Sequence, residues 1–414
     1  MKNSRRFDLS QRLVHFVRSV DLRSDGATTL PEEWSFGNLV EDWVLSPFFL
    51  LRHILRSQEV LPTWSIRNGR RTVYGPRPAV CFSEMPLAAF LIAGEDRSAR
   101  GEHMSTFGVM FKKEDLFALG ARPVIYGLTD EQRARKRTDG ARVFPESALP
   151  LREQYRYVAY NPTRDRPLDW THEREWRLPS ERSMPAATSY DELSGFGLRF
   201  EQLQHEVGFI VRTENHARRL LHDILWLVDT HQLPKELFSF IVIADRFPDP
   251  HELVTPESVE TAIEHSKISL EPYFTLEESR ARQIRTRFDR LVEQVLPELS
   301  GGQPPMGELG GGWLWLYDNT SELVRALMME DGRISISASE RYLVNLMEYP
   351  DFYSLGRREQ MTQQLAELVE KEFGESATYF SVLMSNDPNS VPFYTGTSML
   401  SSAYLNYAHN EEDF

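Results

Sequence analysis

Trp170-Thr171-His172-Glu173-Arg174-Glu175-Trp176-Arg177 carries its charges at alternate positions, the spacing of an extended strand. Read as a strand, it sends Glu173, Glu175 and Arg177 to one face and Arg174, Trp176 and Leu178 to the other. Two carboxylates about 7 Å apart on one strand face each raise the cost of ionising the other, so they call for a partner. A metal, a cationic substrate or Arg177 itself would supply it. A solvated edge strand laced with ion pairs has the same spacing. The flanking Trp170 and Trp176 favour a buried strand whose charged face lines a site.

Outward from this stretch, apolar runs predict further strands at Leu13–Val17, Ala79–Ser83, Phe107–Phe111, Pro123–Tyr126, Val207–Val211 and Phe240–Ala244. Pro47 to Gln58 reads as a helix with Ser46 at its N-cap and Pro47 at its first position. Lys112 to Leu119 reads as a short helix closed by Gly120, and His216 to Gln232 as an amphipathic one. Asp21 to Trp34, with Gly26 and Pro31, reads as loop. Short strands and helices in irregular order indicate a mixed α+β domain. Leu276 to Leu299 is a charged helix, followed by Gly301-Gly302-Gln303-Pro304-Pro305 and Gly310-Gly311-Gly312, which read as a linker or mobile loop. Beyond it, Trp313–Tyr317 is a strand, and Thr320–Met329 and Arg357–Phe373 are helices. A boundary near residue 300 therefore divides a domain at 1–300 from a smaller one at 301–414.

The chain has 414 residues, 41% of them hydrophobic and 26% charged, a composition of globular type. The apolar run from Trp43 to Leu55 is interrupted by Ser46, Pro47 and Arg52, so no membrane span is expected. Basic Met1–Arg6 is followed by Phe7-Asp8-Leu9-Ser10-Gln11-Arg12 instead of a signal-peptide apolar core, and a cytoplasmic location is expected. The single cysteine, Cys81, excludes an intramolecular disulfide and a zinc ribbon. A net charge of −14 argues against a generic nucleic-acid coat protein. The charge is uneven, however: residues 301–414 hold 6 Lys and Arg against 17 Asp and Glu, while Gln132–Arg137 forms a basic cluster. That cluster reads as a solvated loop or as a surface that steers a polyanion.

Taken in order, Val14-His15-Phe16-Val17-Arg18-Ser19, Leu50–Leu55, Ala79–Leu87, Phe107–Lys113, Gly120–Tyr126 and Glu173–Arg177 form a series. Over residues 10 to 245 it resembles the AbiGi-type abortive-infection proteins of phage defence. It is more distantly similar to DarT-like ADP-ribosyltransferases. The resemblance implies a mixed or antiparallel split-sheet ADP-ribosyltransferase-like domain with an acidic α+β or helical accessory domain behind it. It implies an antiviral toxin that transfers ADP-ribose from NAD, as co-substrate, to a protein or nucleic-acid acceptor under a phage trigger or a cognate regulator. Glu175 would stabilise the oxocarbenium-like ribose and Glu173 would select or activate the acceptor. His15, Arg18, Ser83, Tyr126 and Arg177 would bind the dinucleotide, with no metal required.

Two other readings remain open. Asp169, Glu173 and Glu175 with Lys112 or Lys113 would suit a metal-dependent nuclease, although the usual carboxylate-x-lysine strand is absent. A non-catalytic phage sensor or regulatory subunit would suit the acidic region with Glu367, Glu370, Glu372 and Glu375 on one helix.

Overall fold

The computed structural model describes residues 10–21, 23, 44–67, 70–99, 105–129, 132–163, 168–182, 193–253, 255–296, 307–350 and 353–391. The loop expected over Asp21–Trp34 and the Gly301–Pro305 segment lie largely or wholly outside them. Two compact units emerge, one from the described residues of 1–217 and 236–269 and the other from those of 218–235 and 270–391. The fold is mixed α+β.

The first unit is built on an eight-stranded sheet. Its strands are β1 (Arg12–Val17), β2 (Ala79–Ser83), β3 (Phe107–Lys112), β4 (Arg122–Pro123), β5 (Glu175–Pro179), β6 (Val207–Val211), β7 (Phe238–Ile243) and β8 (Lys267–Ser269). They lie in the order β8-β7-β6-β3-β1-β2-β5-β4. Only β6 and β7 run parallel; every other neighbour is antiparallel. The parallel pair needs a crossover, and that stretch carries a helix, as geometry requires. β6 is buried at all five positions, which is why its sequence is uniformly apolar instead of alternating. Full burial of one such side chain contributes about 1.5–3 kcal/mol.

Helix α1 (Pro47–Ser57) starts where the sequence places it: Ser46 Oγ accepts the Phe49 N–H at 3.1 Å and Pro47 occupies the first turn. Phe48, Leu51 and Leu55 are buried on it, and the Phe48 ring meets Phe107 of β3 with centroids 5.8 Å apart. Helix α2 (Leu87–Ala99) follows β2, and α3 (Lys113–Ala118) follows β3 and ends before Gly120 at φ +104°. The expected strand Pro123–Tyr126 divides. Its first part is β4 beside β5, while Ile125–Tyr126 pairs in parallel with Tyr157–Val158 as a separate ribbon.

Helix α4 (Glu214–Asp229) begins in the first unit, and its residues from Arg218 onward belong to the second; α5 (Pro256–Ser266) lies between β7 and β8 in sequence. The second unit contains α6 (Glu278–Val295), β9 (Gly310–Leu316), α7 (Glu322–Met328), β10 (Ile334–Ile336), β11 (Tyr342–Asn345), α8 (Leu355–Phe373) and β12 (Ala377–Leu383). Its sheet runs β10-β11-β9-β12, antiparallel throughout. Ile284, Phe288 and Val292 of α6 share a core with Leu314, Leu327, Leu365 and Val369. Because α6 belongs to this core, the second unit starts earlier than the expected boundary at 300. Gly310–Gly312 is not linker but the first part of β9. Asp229 anchors the second unit's share of α4: it pairs with Arg325 at 2.7 Å and accepts the Tyr342 hydroxyl at 2.8 Å.

Candidate functional site

The expected strand through Glu173 is shorter than its charge alternation suggests. Thr171–Glu173 forms a single 3-10 turn, Arg174 adopts a left-handed conformation at φ 44°, and extended structure begins at Glu175. A left-handed non-glycine residue costs on the order of 1–3 kcal/mol and resets the side-chain alternation. Glu173 therefore does not follow Glu175 on the strand. Its side chain is buried, and its backbone carbonyl accepts the Ser83 Oγ–H at 2.8 Å.

Pairing of β5 with β2 places Glu175 beside Ser83 and Arg177 beside Cys81, all four on one face. Here Arg177 supplies the cation that the carboxylate needs. Its Nε donates to Glu175 Oε1 at 2.7 Å and its Nη2 to Oε2 at 3.3 Å, while Nη1 donates to the carbonyls of Tyr155 and Tyr157 at 2.6 and 3.3 Å. The Arg177 side chain is 4% exposed and that of Glu175 14%. Burial works against the charge on Arg177, but Glu175 and Cys81 together outweigh it, so its pKa is raised. Burial above all, and then Glu175, pushes the Cys81 thiol up to about 12, which leaves it protonated and a poor nucleophile.

Tyr126 comes to the same place from the parallel ribbon. Its phenol oxygen accepts the Glu175 N–H at 3.0 Å, and burial pushes its pKa up to about 12. Glu175, Tyr126, Glu84, Arg174, Trp176, Thr171, Pro123 and Val124 line a cavity of about 280 Å³. Trp176, on the opposite face of β5 from Glu175, also borders a second cavity of about 520 Å³ with Ser10, Gln11, Lys112, Lys113, Glu114 and Phe117. Its Nε1–H donates to Glu84 Oε2 at 2.7 Å, the Lys113 ammonium pairs with Glu84, and that ammonium stands 5.4 Å from the indole centre.

The other expected positions do not converge here. Val14 pairs with Ser83, so His15 falls on the Phe82 side, where the rings meet edge-on with centroids 6.1 Å apart. His15 is thus on the opposite sheet face from Glu175 and Arg177. Its Nδ1 lies 2.9 Å from the Cys81 carbonyl oxygen, and burial, partly offset by that contact, lowers its pKa. Arg18 follows the end of β1, four residues past Val14 and roughly 13 Å along the strand direction from the row Val14-Ser83-Glu175. Ser83 is buried and donates to Glu173 while accepting the Met85 N–H, so it positions the turn before Glu175 instead of facing the cavity.

Asp169 is engaged locally, its Oδ1 accepting both the Thr171 N–H and hydroxyl. Among the described residues, no three His, Cys, Asp or Glu side chains converge as a metal-ligand set. The geometry adds Glu84, which the residue reading passed over. The available signal was a charged residue directly after the apolar strand Ala79–Ser83 and before Met85-Pro86. Of the four glutamates expected on the acidic helix, Glu367, Glu370 and Glu372 lie on α8, and Glu375 follows its Gly374 cap.

A family model described as "Protein of unknown function (DUF4427)" matches residues 276–407, about a third of the chain. That match covers α6 through β12 and does not reach the cavity beside Glu175. No curated protein and no solved structure matches the chain. Among the described residues, no helix is long and apolar enough to cross a membrane.

Proposed function

We propose that the first unit is an ADP-ribosyltransferase-like domain that uses NAD to modify a macromolecule, as the effector of a defence system limiting phage propagation. The observation that carries this reading is that Glu175, held by Arg177, lines one cavity together with Tyr126 and Trp176. At about 280 Å³ the cavity is at the small end of ligand sites, which suits the nicotinamide riboside end of a dinucleotide better than the whole molecule. Tyr126 and Trp176 offer aromatic surface to a planar ring, and Arg174 at the rim offers charge to a phosphate.

In the proposed step the bond from nicotinamide nitrogen to ribose C1′ breaks and its electron pair leaves with nicotinamide. Positive charge builds on the ribose, which the Glu175 carboxylate stabilises. The acceptor's nucleophilic atom then bonds to C1′ and gives its proton to the carboxylate or to water. Arg177 holds the Glu175 carboxylate in place through both oxygens. His15 and Arg18 have no part in this version of the site, and Glu173 acts through its backbone.

The protein incubated with isotopically labelled NAD and a cell lysate should pass label to macromolecules, and Glu175→Gln should lower that transfer about 100-fold or more. Equal labelling by the two proteins, or none by either, would overturn the reading. A second reading is favoured by the same ion pair: a carboxylate neutralised bidentately by a buried arginine suits a non-catalytic sensor built on this fold. It expects ligand or partner binding that survives Glu175→Gln, with no labelling.

A further inference from the structure

Between Lys112 and Lys113 the chain changes from β3 to α3. Unbroken strand would send these two side chains to opposite faces, but the change to helix ends the alternation, and both border the cavity of about 520 Å³. Gln11, whose carbonyl accepts the Lys113 N–H at 3.1 Å, brings the start of β1 to the same rim. Phe117, four residues after Lys113 and so on the same side of α3, supplies aromatic surface together with Trp176 of β5. The volume lies within the usual range of small-molecule sites.

Phe117 is 52% exposed, so its ring is open to a ligand in this cavity. The Arg122 guanidinium stands 3.9 Å from the ring centre and donates through Nη1 to the Phe117 and Ala121 carbonyls, each at 2.7 Å. That arrangement fixes a third cation beside the two lysines. One oxygen of Glu206, Oε1, meets both Arg12 at 2.7 Å and Lys112 at 3.2 Å, so Lys112 is the second cation on a single acid. The Lys113 ammonium pairs with Glu84. An ammonium carries three N–H donors, and each lysine therefore has donors beyond the one its acid takes.

The charges can be counted over the lining, its ion-pair partners and the cation on Phe117. Among the described residues Arg12, Lys112, Lys113 and Arg122 stand against Glu84, Glu114 and Glu206, four to three. Asp115, next to Glu114, is matched separately by His205 at 2.7 Å, and that hydrogen bond raises the histidine's pKa. In a chain with 61 acidic and 47 basic residues the cavity thus has one positive charge to spare, which a single anion balances.

Trp176 borders this cavity and also the one beside Glu175. Glu84 Oε2 holds its Nε1–H at 2.7 Å, and the Lys113 ammonium on Glu84 stands 5.4 Å from the indole centre. An anion that takes up donors of Lys113 changes the electrostatic surroundings of this indole, so its emission reports occupancy.

We infer that the cavity between α3 and Trp176 is a second ligand site, which takes a small aromatic anion: the ring on Phe117 and Trp176, the negative group on Lys112 and Lys113. The inference stands apart from the transfer reaction, and its test uses no NAD. Phenylacetate and phenyl phosphate are titrated into the full-length protein by calorimetry, with phenethylamine as the ring of opposite charge. Binding of at least one anion is expected, with phenethylamine about tenfold weaker or more. Binding of phenylacetate alone would name a carboxylate, of phenyl phosphate alone a phosphate, and equal binding would mean that only the negative charge is read. Lys112→Gln leaves Glu206 its Arg12 partner, and it should weaken binding about tenfold with thermal unfolding unchanged. Phe117→Ala, at an exposed position, should weaken binding as well and provides an independent variant if the first misfolds. Saturation should also shift tryptophan emission, and the shift should be missing from Trp176→Phe. No binding of either anion, phenethylamine binding as tightly as they do, unchanged affinity in both variants, or an emission shift that persists in Trp176→Phe would overturn the inference.

Discussion

At the residue scale, the pair Glu175–Arg177 decides both the local stability and the reading of the cavity. Removing one member of a buried ion pair strands the other charge, at a cost of about 3–5 kcal/mol, whereas replacing both with apolar residues is often close to neutral. Arg177→Leu should therefore lower the urea midpoint of the first unit far more than the double variant Arg177→Leu/Glu175→Leu. Equal loss in the two proteins would show that the guanidinium serves the Tyr155 and Tyr157 carbonyls more than the carboxylate. Tyr126→Phe removes the acceptor of the Glu175 N–H and should cost roughly 1–2 kcal/mol by the same measurement. That Glu175 and Arg177 share one face was legible from their i, i+2 spacing, because both lie on a true strand. The relation of Glu173 to them was not. It depends on the left-handed turn at Arg174, and arginine carries no local signal for that conformation.

At the scale of elements, strands of continuous apolar sequence and helices with a good N-cap were readable, because burial and capping are written in adjacent residues. Gly310-Gly311-Gly312 misleads for a physical reason. Glycine signals flexibility in sequence, but here it permits close approach. A Cβ on Gly310 would stand 2.0 Å from the Val382 carbonyl oxygen, and one on Gly311 2.2 Å from the Trp313 ring. At Gly312 the nearest atom is 3.8 Å away, an ordinary contact. Gly310→Ala should thus destabilise the β9–β12 pairing by about 1–3 kcal/mol in chemical denaturation, while Gly312→Ala should be near neutral. Similar losses in both would mean that the strand senses glycine's backbone freedom and not the space around it. Strand order was likewise beyond sequence reading: which strand neighbours Glu175 depends on contacts across some 90 residues, as between Ser83 and Glu175.

At the scale of the whole molecule, the two units should answer acid in opposite directions. In the first, burial pushes His53 down to about 3 and also lowers His15. A histidine whose folded pKa lies below its unfolded value near 6.5 stabilises the fold above that value, and the contribution is lost as pH falls from about 6.5 toward 3. The exposed His205 beside Asp115 is shifted upward and opposes this trend, but solvent screening makes it the weaker influence. In the second unit, burial and the nearby Asp318, against the opposing pull of Arg218, raise Glu375 to about 7. A carboxylate raised in the folded state favours folding when protonated. Its contribution is complete below the unfolded value near 4.5 and is lost as pH rises through about 7. Asp289 and Glu359 are raised as well, chiefly by burial, so they add to the same sign. Calorimetry from about pH 8 down to about pH 5 should show the transition of the first unit moving down relative to that of the second. Glu375→Gln should flatten the pH response of the second transition between about 7 and 4.5 without moving the first. Transitions that shift in parallel, or a second transition whose slope ignores Glu375→Gln, would assign the acid response to charges outside these buried groups.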